Sequence, residues 1–194
     1  ITGDAGDNVI NGTSGDDIIY GLNGNDTLNA GLGNDILRGG AGNDTLNGSD
    51  GNDVLIGGKG NDTLTGGAGV DVFKWDSGDE GVAGNPARDT ITDFNKATVA
   101  QGGDVLDIRD LLQGENPNNL QNYMHFEKSG SDTIIHISSS GGFANDAHNV
   151  SGSFSSGNTT QQIVLSGVDL TSGQSSDAAI INNLLSQQKL IVDQ

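Results

Sequence analysis

Residues 39–64 read GGAGNDTLNGSDGNDVLIGGKGNDTL, and within this stretch one nine-residue phrase comes round almost three times. Glycine and aspartate fill nearly half of it, yet a single aliphatic residue (Leu46, Leu55, Leu64) returns at a fixed interval. Followed outward, the phrase runs from Gly3 to Lys74 as eight units without an insertion. Position four is always glycine: Gly6, Gly15, Gly24, Gly33, Gly42, Gly51, Gly60 and Gly69. Position six is Asn8 in the first unit and then Asp17, Asp26, Asp35, Asp44, Asp53, Asp62 and Asp71. Position eight is always large and apolar, from Ile10 and Ile19 through five leucines to Phe73. A flexible glycine-rich linker has no reason to keep an apolar residue in phase over such a length.

A period of this kind is the signature of a solenoid. Three residues around position eight suit a short strand with the middle side chain inward, and the glycine-rich remainder suits a chain reversal. Two units close one coil of 18 residues, and successive coils stack as parallel strands. Each coil then buries only two large apolar side chains, worth roughly 1.5–3 kcal/mol apiece. Ordering a backbone costs roughly 1–2 kcal/mol per residue, so burial falls well short. Units two apart also bring their position-six carboxylates together, which repel unless a cation lies between them. A hard dication reverses the sign of that interaction, and glycine-rich loops can turn carbonyl oxygens inward to complete the all-oxygen shell that Ca²⁺ accepts. Mg²⁺ fits less well because it keeps its waters. Three gaps in the odd row and three in the even row predict about six or more Ca²⁺ ions, with the site that uses Asn8 the weakest.

Composition agrees. The formal net charge is −18, and all but three of the 26 acidic residues are aspartate, the exceptions being Glu80, Glu115 and Glu127. This balance excludes nucleic acid and anionic membrane as partners and favours cations. Cysteine is absent, so no disulfide contributes. No apolar run is long enough to insert into a membrane, and the first residues carry no basic-then-apolar leader. The chain opens inside a repeat, which predicts a segment of a longer protein.

The nonapeptide resembles the GGxGxDxUx motif of the repeats-in-toxin (RTX) proteins over residues 3–74. The resemblance implies an all-β fold: a right-handed parallel β-roll, or β-solenoid, binding Ca²⁺ in both rows of turns. It also implies a ligand set. The earlier loop of each pair supplies the carbonyls of positions two and four and its aspartate; the later loop supplies those of positions one and three and its own aspartate. Carried across, the position-one carbonyls are Gly21, Gly39, Gly48, Gly57 and Gly66, and the position-three carbonyls are Asn23, Ala41, Asp50, Lys59 and Ala68. Gly31 and Gly40 serve at position two, and the position-four glycines complete the set. Ala30 replaces glycine at position one of the fourth unit, and Asp4, Thr13, Leu22 and Ser49 replace it at position two, predicting strained or looser loops.

The two faces differ. Odd units expose Val9, Thr27, Thr45 and Thr63 with Asn11, Asn29, Asn47 and Thr65, a flat polar ladder that also resembles the faces of ice-binding solenoids. Even units expose Ile18, Ile36, Val54 and Val72 with Tyr20, Arg38, Ile56 and Lys74, an apolar stripe expected to be covered by the C-terminal region or a partner.

Residues 75–194 form a second region, β-rich and irregular. Fragments of the unit return around Asp89, Asp104 and Asp132 and predict further coils, with Asp89 and Asp104 as additional metal candidates. A hairpin is expected over 123–140, a long surface loop over 143–160 and a strand over 161–170. Ser and Asp before Ile180, Ile181, Leu184 and Leu185 predict a helix capped near Asp177 that seals the end of the stack. The segments DVFKWDSGDEG, DTITDF, GGDVLDIRDLL and NNLLSQQKLIVD look like the C-terminal target domain of type I secretion substrates, particularly large bacterial RTX adhesins. That likeness implies an uncleaved export signal, an ABC transporter and outer-membrane channel as export partners, an extracellular or cell-surface destination and a monomeric module. Alternatives are the RTX module of a secreted hydrolase or toxin, or a segment that itself binds a surface ligand or ice. Neither HExxH nor GxSxG occurs and there is no thiol, so catalysis is not expected. His125 and His136 fall in strand patterns, His148 in a polar loop, and Asp107 and Asp110 in a turn.

Overall fold

The computed structural model describes residues 1–113, 115, 119–143 and 156–192. The eight units give β1 (Val9–Asn11), β2 (Ile18–Asn23), β3 (Thr27–Leu32), β4 (Ile36–Ala41), β5 (Thr45–Asp50), β6 (Val54–Lys59), β7 (Thr63–Ala68) and β8 (Val72–Lys74). Odd strands enter one sheet and even strands another. Every strand pairs in parallel with the one two units on, so that Leu28, Leu46 and Leu64 stack in one sheet and Ile19, Leu37 and Leu55 in the other. All six are fully buried between the sheets. The molecule is a parallel β-roll, as the period predicts.

The strands are longer than the three residues expected. From β2 to β7 each has six, continuing through positions one to three of the next unit. Position one faces inward beside the aspartate; a Cβ on Gly21, Gly39, Gly48, Gly57 or Gly66 would overlap the carboxylate, and Ala30 fills the place in the fourth unit.

Both sheets cross residue 74 without a break. β9 (Ala87–Ile91) pairs in parallel with β7, and β10 (Val105–Asp107) with β8. The fragments around Asp89 and Asp104 therefore do build further rungs, separated by longer connections. The fragment around Asp132 does not. It begins β12 (Asp132–Ile137), which is antiparallel to β11 (Met124–Ser129) across the expected hairpin. Its aspartate instead accepts the backbone N–H of Gly167 (2.8 Å). β13 (Gln161–Leu165) joins β9 to β12 and is shorter than the predicted 161–170, because Ser166 and Gly167 turn the chain. Most of the expected loop over 143–160 lies outside the described residues, as does His148.

Helix α1 (Asp177–Ser186) starts where Ser176 Oγ accepts the N–H of Ala179 (3.3 Å). It buries Ile180, Ile181 and Leu184. The even sheet is closed not by this helix alone but by β14 (Leu190–Ile191), a two-residue strand parallel to β10. A stack of Phe73, Leu106 and Leu190 continues the leucine column to the end.

The apolar stripe is covered over part of its length. Ile56 is 3 % exposed, and the flanking Arg38 and Lys74 both reach Asp76, which lies across it. Toward the N-terminus Ile18, Tyr20 and Ile36 remain at least 39 % exposed.

Candidate metal centre

The sharp reversals between strands place the position-six aspartates in two columns. Each is tied to the next rung by the same bond. The backbone N–H of Asp26 donates to Oδ1 of Asp44 (2.8 Å), that of Asp44 to Asp62 (2.8 Å), that of Asp35 to Asp53 (2.8 Å) and that of Asp53 to Asp71 (3.0 Å). One carboxylate oxygen is thus part of the stacking.

The other oxygen has no partner. Oδ2 of Asp26, Asp35, Asp44, Asp53, Asp62 and Asp71 is buried without a hydrogen bond, and each of these residues is at most 2 % exposed. Its surroundings are oxygen-rich. A Cβ built on Gly39 would overlap both Oδ2 of Asp44 and the carbonyl oxygen of Gly57, so the two oxygens border one small space. Gly21 stands in the same relation to Asp26 and the Gly39 carbonyl, and Gly48 to Asp53 and the Gly66 carbonyl.

Further carbonyls of the expected set also turn toward the neighbouring rungs. At positions two and four, Leu22 and Gly24 direct their oxygens at Gly40 and Gly42 of the following odd coil; Gly40 and Gly42 do so at Gly58 and Gly60. At position three, Ala41, Asp50, Lys59 and Ala68 point back and accept the N–H of Gly24, Gly33, Gly42 and Gly51, which leaves each a second lone pair.

Burial of unneutralised carboxylates raises their pKa. Asp62 is pushed up to about 8 by burial and by the charges of Asp89 and Asp44. Asp44 and Asp71 are pushed up to about 6, burial being the largest cause in each, and Asp35 and Asp53 are raised for the same reason. An anion pushed toward neutrality by burial and by its neighbours, and backed by inward carbonyls, fits a hard divalent cation. No cluster of three or more His, Cys, Asp or Glu side chains arranged for a metal occurs among the described residues. What each rung brings to the gap is one carboxylate oxygen together with main-chain carbonyls.

Six unpartnered oxygens match the number of gaps counted in the sequence, but shifted one coil toward the C-terminus. In the first coil local groups hydrogen-bond the corresponding oxygens. Oδ2 of Asp17 accepts both the N–H (2.7 Å) and the hydroxyl (2.8 Å) of Thr13. Oδ1 of Asn8 accepts the N–H of Asp4 (2.7 Å). Asp4 and Thr13 stand at position two, and neither adopts the left-handed backbone that glycine takes there in later units, so their side chains fold back locally. Leu22 (φ 89°) and Ser49 (φ 78°) do adopt it, and theirs are the strained loops.

Asp89 and Asp104 hold the next place in each column. Oδ1 of Asp89 accepts the N–H of Asp62 (2.8 Å), and Oδ1 of Asp104 that of Asp71 (3.2 Å). Unlike the six, both have their second oxygen satisfied. Trp75 Nε1 (2.6 Å) and Gln161 Nε2 (2.8 Å) donate to Asp89 Oδ2, and the N–H of Asn95 (2.7 Å) to Asp104 Oδ2. At these two rungs protein donors meet the second carboxylate oxygen.

A second ladder escaped the sequence reading. At position five the side-chain oxygen of Asn25 accepts the N–H of Asn43, Asn43 that of Asn61, Asn34 that of Asn52, and Asn52 that of Val70, all at 2.8–2.9 Å. The signal was the run of asparagine at position five in five consecutive units. In the later region His125 Nδ1 meets Asp177 (2.9 Å), His136 Nε2 meets Glu127 (2.9 Å), Asp107 pairs with Arg109 (2.7 Å) and Asp110 with Lys74 (3.0 Å).

Two rows of stacked carboxylates and carbonyls on a parallel roll define a cation-binding β-roll. The family model of the RTX calcium-binding nonapeptide repeat (four copies) matches residues 2–37 and 38–73. No curated protein matches the sequence significantly. Among solved structures, the chain is similar to two subunits of the mannuronan C5-epimerase of Azotobacter vinelandii. AlgE6R3 is 23 % identical over 97 % of this chain and 80 % of its own, with a TM-score of 0.47. AlgE6R2 is 22 % identical over 94 % and 91 %, with a TM-score of 0.42.

Proposed function

We propose that this chain is a calcium-dependent folding module that accompanies the type I secretion of a larger extracellular protein, an RTX adhesin by the resemblance of its C-terminal segments. The observation that carries the calcium part is the set of six buried, unpartnered Oδ2 atoms from Asp26 to Asp71. We assign about six ions, one to each. Calcium would be held by the aspartates and by the carbonyls of positions one to four, and its charge removes the repulsion along the columns. No catalytic step is assigned to the chain.

The secretion part follows from where that energy is available. Extracellular calcium modules bind at about 10⁻⁴–10⁻³ M, far above cytosolic free calcium. Inside the cell the carboxylates repel, and the chain stays open enough to thread an ABC transporter and its outer-membrane channel. Outside, binding is folding. The chain then works as a monomer, and no helix among the described residues is long and apolar enough to cross a membrane. Circular dichroism and calorimetry during a calcium titration test the first part: cooperative folding with about six ions bound is expected, and a compact chain after exhaustive chelation refutes it. Export rates that ignore external calcium would refute the second.

A further inference from the structure

The even column continues past Asp104, and its last rung lacks a carboxylate. Leu190 pairs with Leu106, so by register Gln188 stands where position six belongs. The next residue, Lys189, is 1 % exposed. Its Nζ donates to three main-chain carbonyls, those of Asn95 (2.5 Å), Ala97 (2.8 Å) and Asp104 (2.8 Å). Three donors meet three acceptors, so the ammonium is saturated. The ring of Phe94 lies 4.7 Å below it and adds a cation–π contact. Room for this seat comes from Gly103, where a Cβ would overlap the Ala97 carbonyl and fall 2.8 Å from Nζ.

Three carbonyl oxygens converging on one point, beside a buried aspartate, form a seat for a cation. We propose that the chain supplies that cation itself: the Lys189 ammonium ends the even column and fastens β14 to the roll without a metal. The proposal rests on the calcium reading of the rungs below and adds to it that the column is closed by a covalently carried charge. Docking of β14 then requires the lysine rather than calcium at this rung. Two bonds on this rung, Leu106 N–H to the Lys189 carbonyl (2.8 Å) and Ile108 N–H to the Ile191 carbonyl (3.2 Å), would then depend on Lys189 being seated.

Hydrogen exchange of the full chain in saturating calcium tests this through the amides of Leu106 and Ile108. Lys189→Met keeps the stem and removes the charge; protection at these amides is expected to fall at least about tenfold. Lys189→Ala opens the seat, and millimolar propylammonium is expected to restore protection where propanol does not. Wild-type protection in Lys189→Met would overturn the proposal. Equal rescue of Lys189→Ala by propanol would also overturn it, by showing a seat for hydrocarbon rather than for charge. Amides in residues 24–70 are followed in the same samples. Should these be unprotected in wild-type chain with calcium, the calcium reading fails by itself, while the Lys189 comparison still stands or falls on its own amides.

Discussion

Asp44 and Asp89 occupy equivalent places in one column, two rungs apart, and are buried to the same degree. Each spends Oδ1 on the backbone of the rung before it. At Oδ2 they part. Asp44 meets no donor, whereas Asp89 meets the indole N–H of Trp75 and the amide of Gln161. The same contrast separates the repeat roll from the region after it, where Asp104, Asp107 and Asp177 also have both oxygens engaged. A nine-residue repeat with one apolar side chain and small loops has nothing long enough to reach its own buried carboxylates. The later region has tryptophan, glutamine, histidine and lysine side chains and a broader core of Phe126, Ile135, Ile137 and Ile163. On the calcium reading proposed above, the roll needs an external charge at these oxygens, whereas the later aspartates have theirs met by protein donors.

Chelation should break the molecule along that line. With free calcium about a hundredfold above the dissociation constant, each site contributes about 2.7 kcal/mol, and several sites together exceed the stability of an ordinary domain. Amides in β3 to β7 are expected to exchange freely in excess chelator and to be protected in calcium, while β11 to β13 keep measurable protection in both. Equal loss in both regions would erase the contrast.

Single substitutions sharpen it. Asp44→Asn should lower the bound calcium by at least one ion and move the folding midpoint to higher calcium. Asp89→Asn should leave the midpoint nearly unchanged, costing about 1.5–3 kcal/mol for hydrogen bonds to a charged group. Isothermal titration and thermal melts of the two variants decide this, and a similar calcium defect in both would place a metal at Asp89 as well.

Protons give a weaker version of the same test. In the absence of calcium the folded-state pKa of Asp44 and Asp71 is raised to about 6 and that of Asp62 to about 8, all above the ordinary aspartate value. The folded roll then binds more protons than the unfolded chain, so its stability falls as pH rises from about 4 through these values. Chelated protein is expected to gain strand signal by circular dichroism on acidification from pH 8 to pH 5. Calcium-loaded protein should show the opposite trend, because protons compete with the ion.

The roll was legible because its signal is periodic. Glycine at position four, aspartate at six and an aliphatic at eight fix the strands, the stacking and the columns, and the hairpin and helix follow from alternation and capping. What escaped depends on contacts between residues far apart in sequence. Trp75 and Gln161 meet at Asp89, and Lys189 reaches Asn95, Ala97 and Asp104. No spacing rule announces such contacts. The coil-like fragment at Asp132 misled for the converse reason: an aspartate followed by an aliphatic is equally at home in a hairpin, and only the partner strand decides. The asparagine ladder was periodic and visible, but side-chain bonding between rungs is not implied by a polar residue on a turn.

The smallest effect concerns the loops that depart from glycine. Leu22 and Ser49 hold left-handed backbone at position two, where Gly31, Gly40, Gly58 and Gly67 do the same in other units. An L-residue in that conformation costs about 1–2 kcal/mol, and glycine returns about 0.5–1 kcal/mol of this through the greater freedom of its unfolded chain. Leu22 is 45 % exposed, so removing its side chain forfeits little burial. Leu22→Gly and Ser49→Gly should each stabilise the calcium-loaded roll by about 0.5–1 kcal/mol, seen as a modest rise in melting temperature. Gly42→Ala should act in the other direction, since its Cβ would collide with the Gly24 carbonyl that faces the gap. If the two glycine replacements instead lower the melting temperature, backbone strain at position two is outweighed by contacts of the longer side chains, and the roll is less dependent on its glycines than on the ions between its rungs.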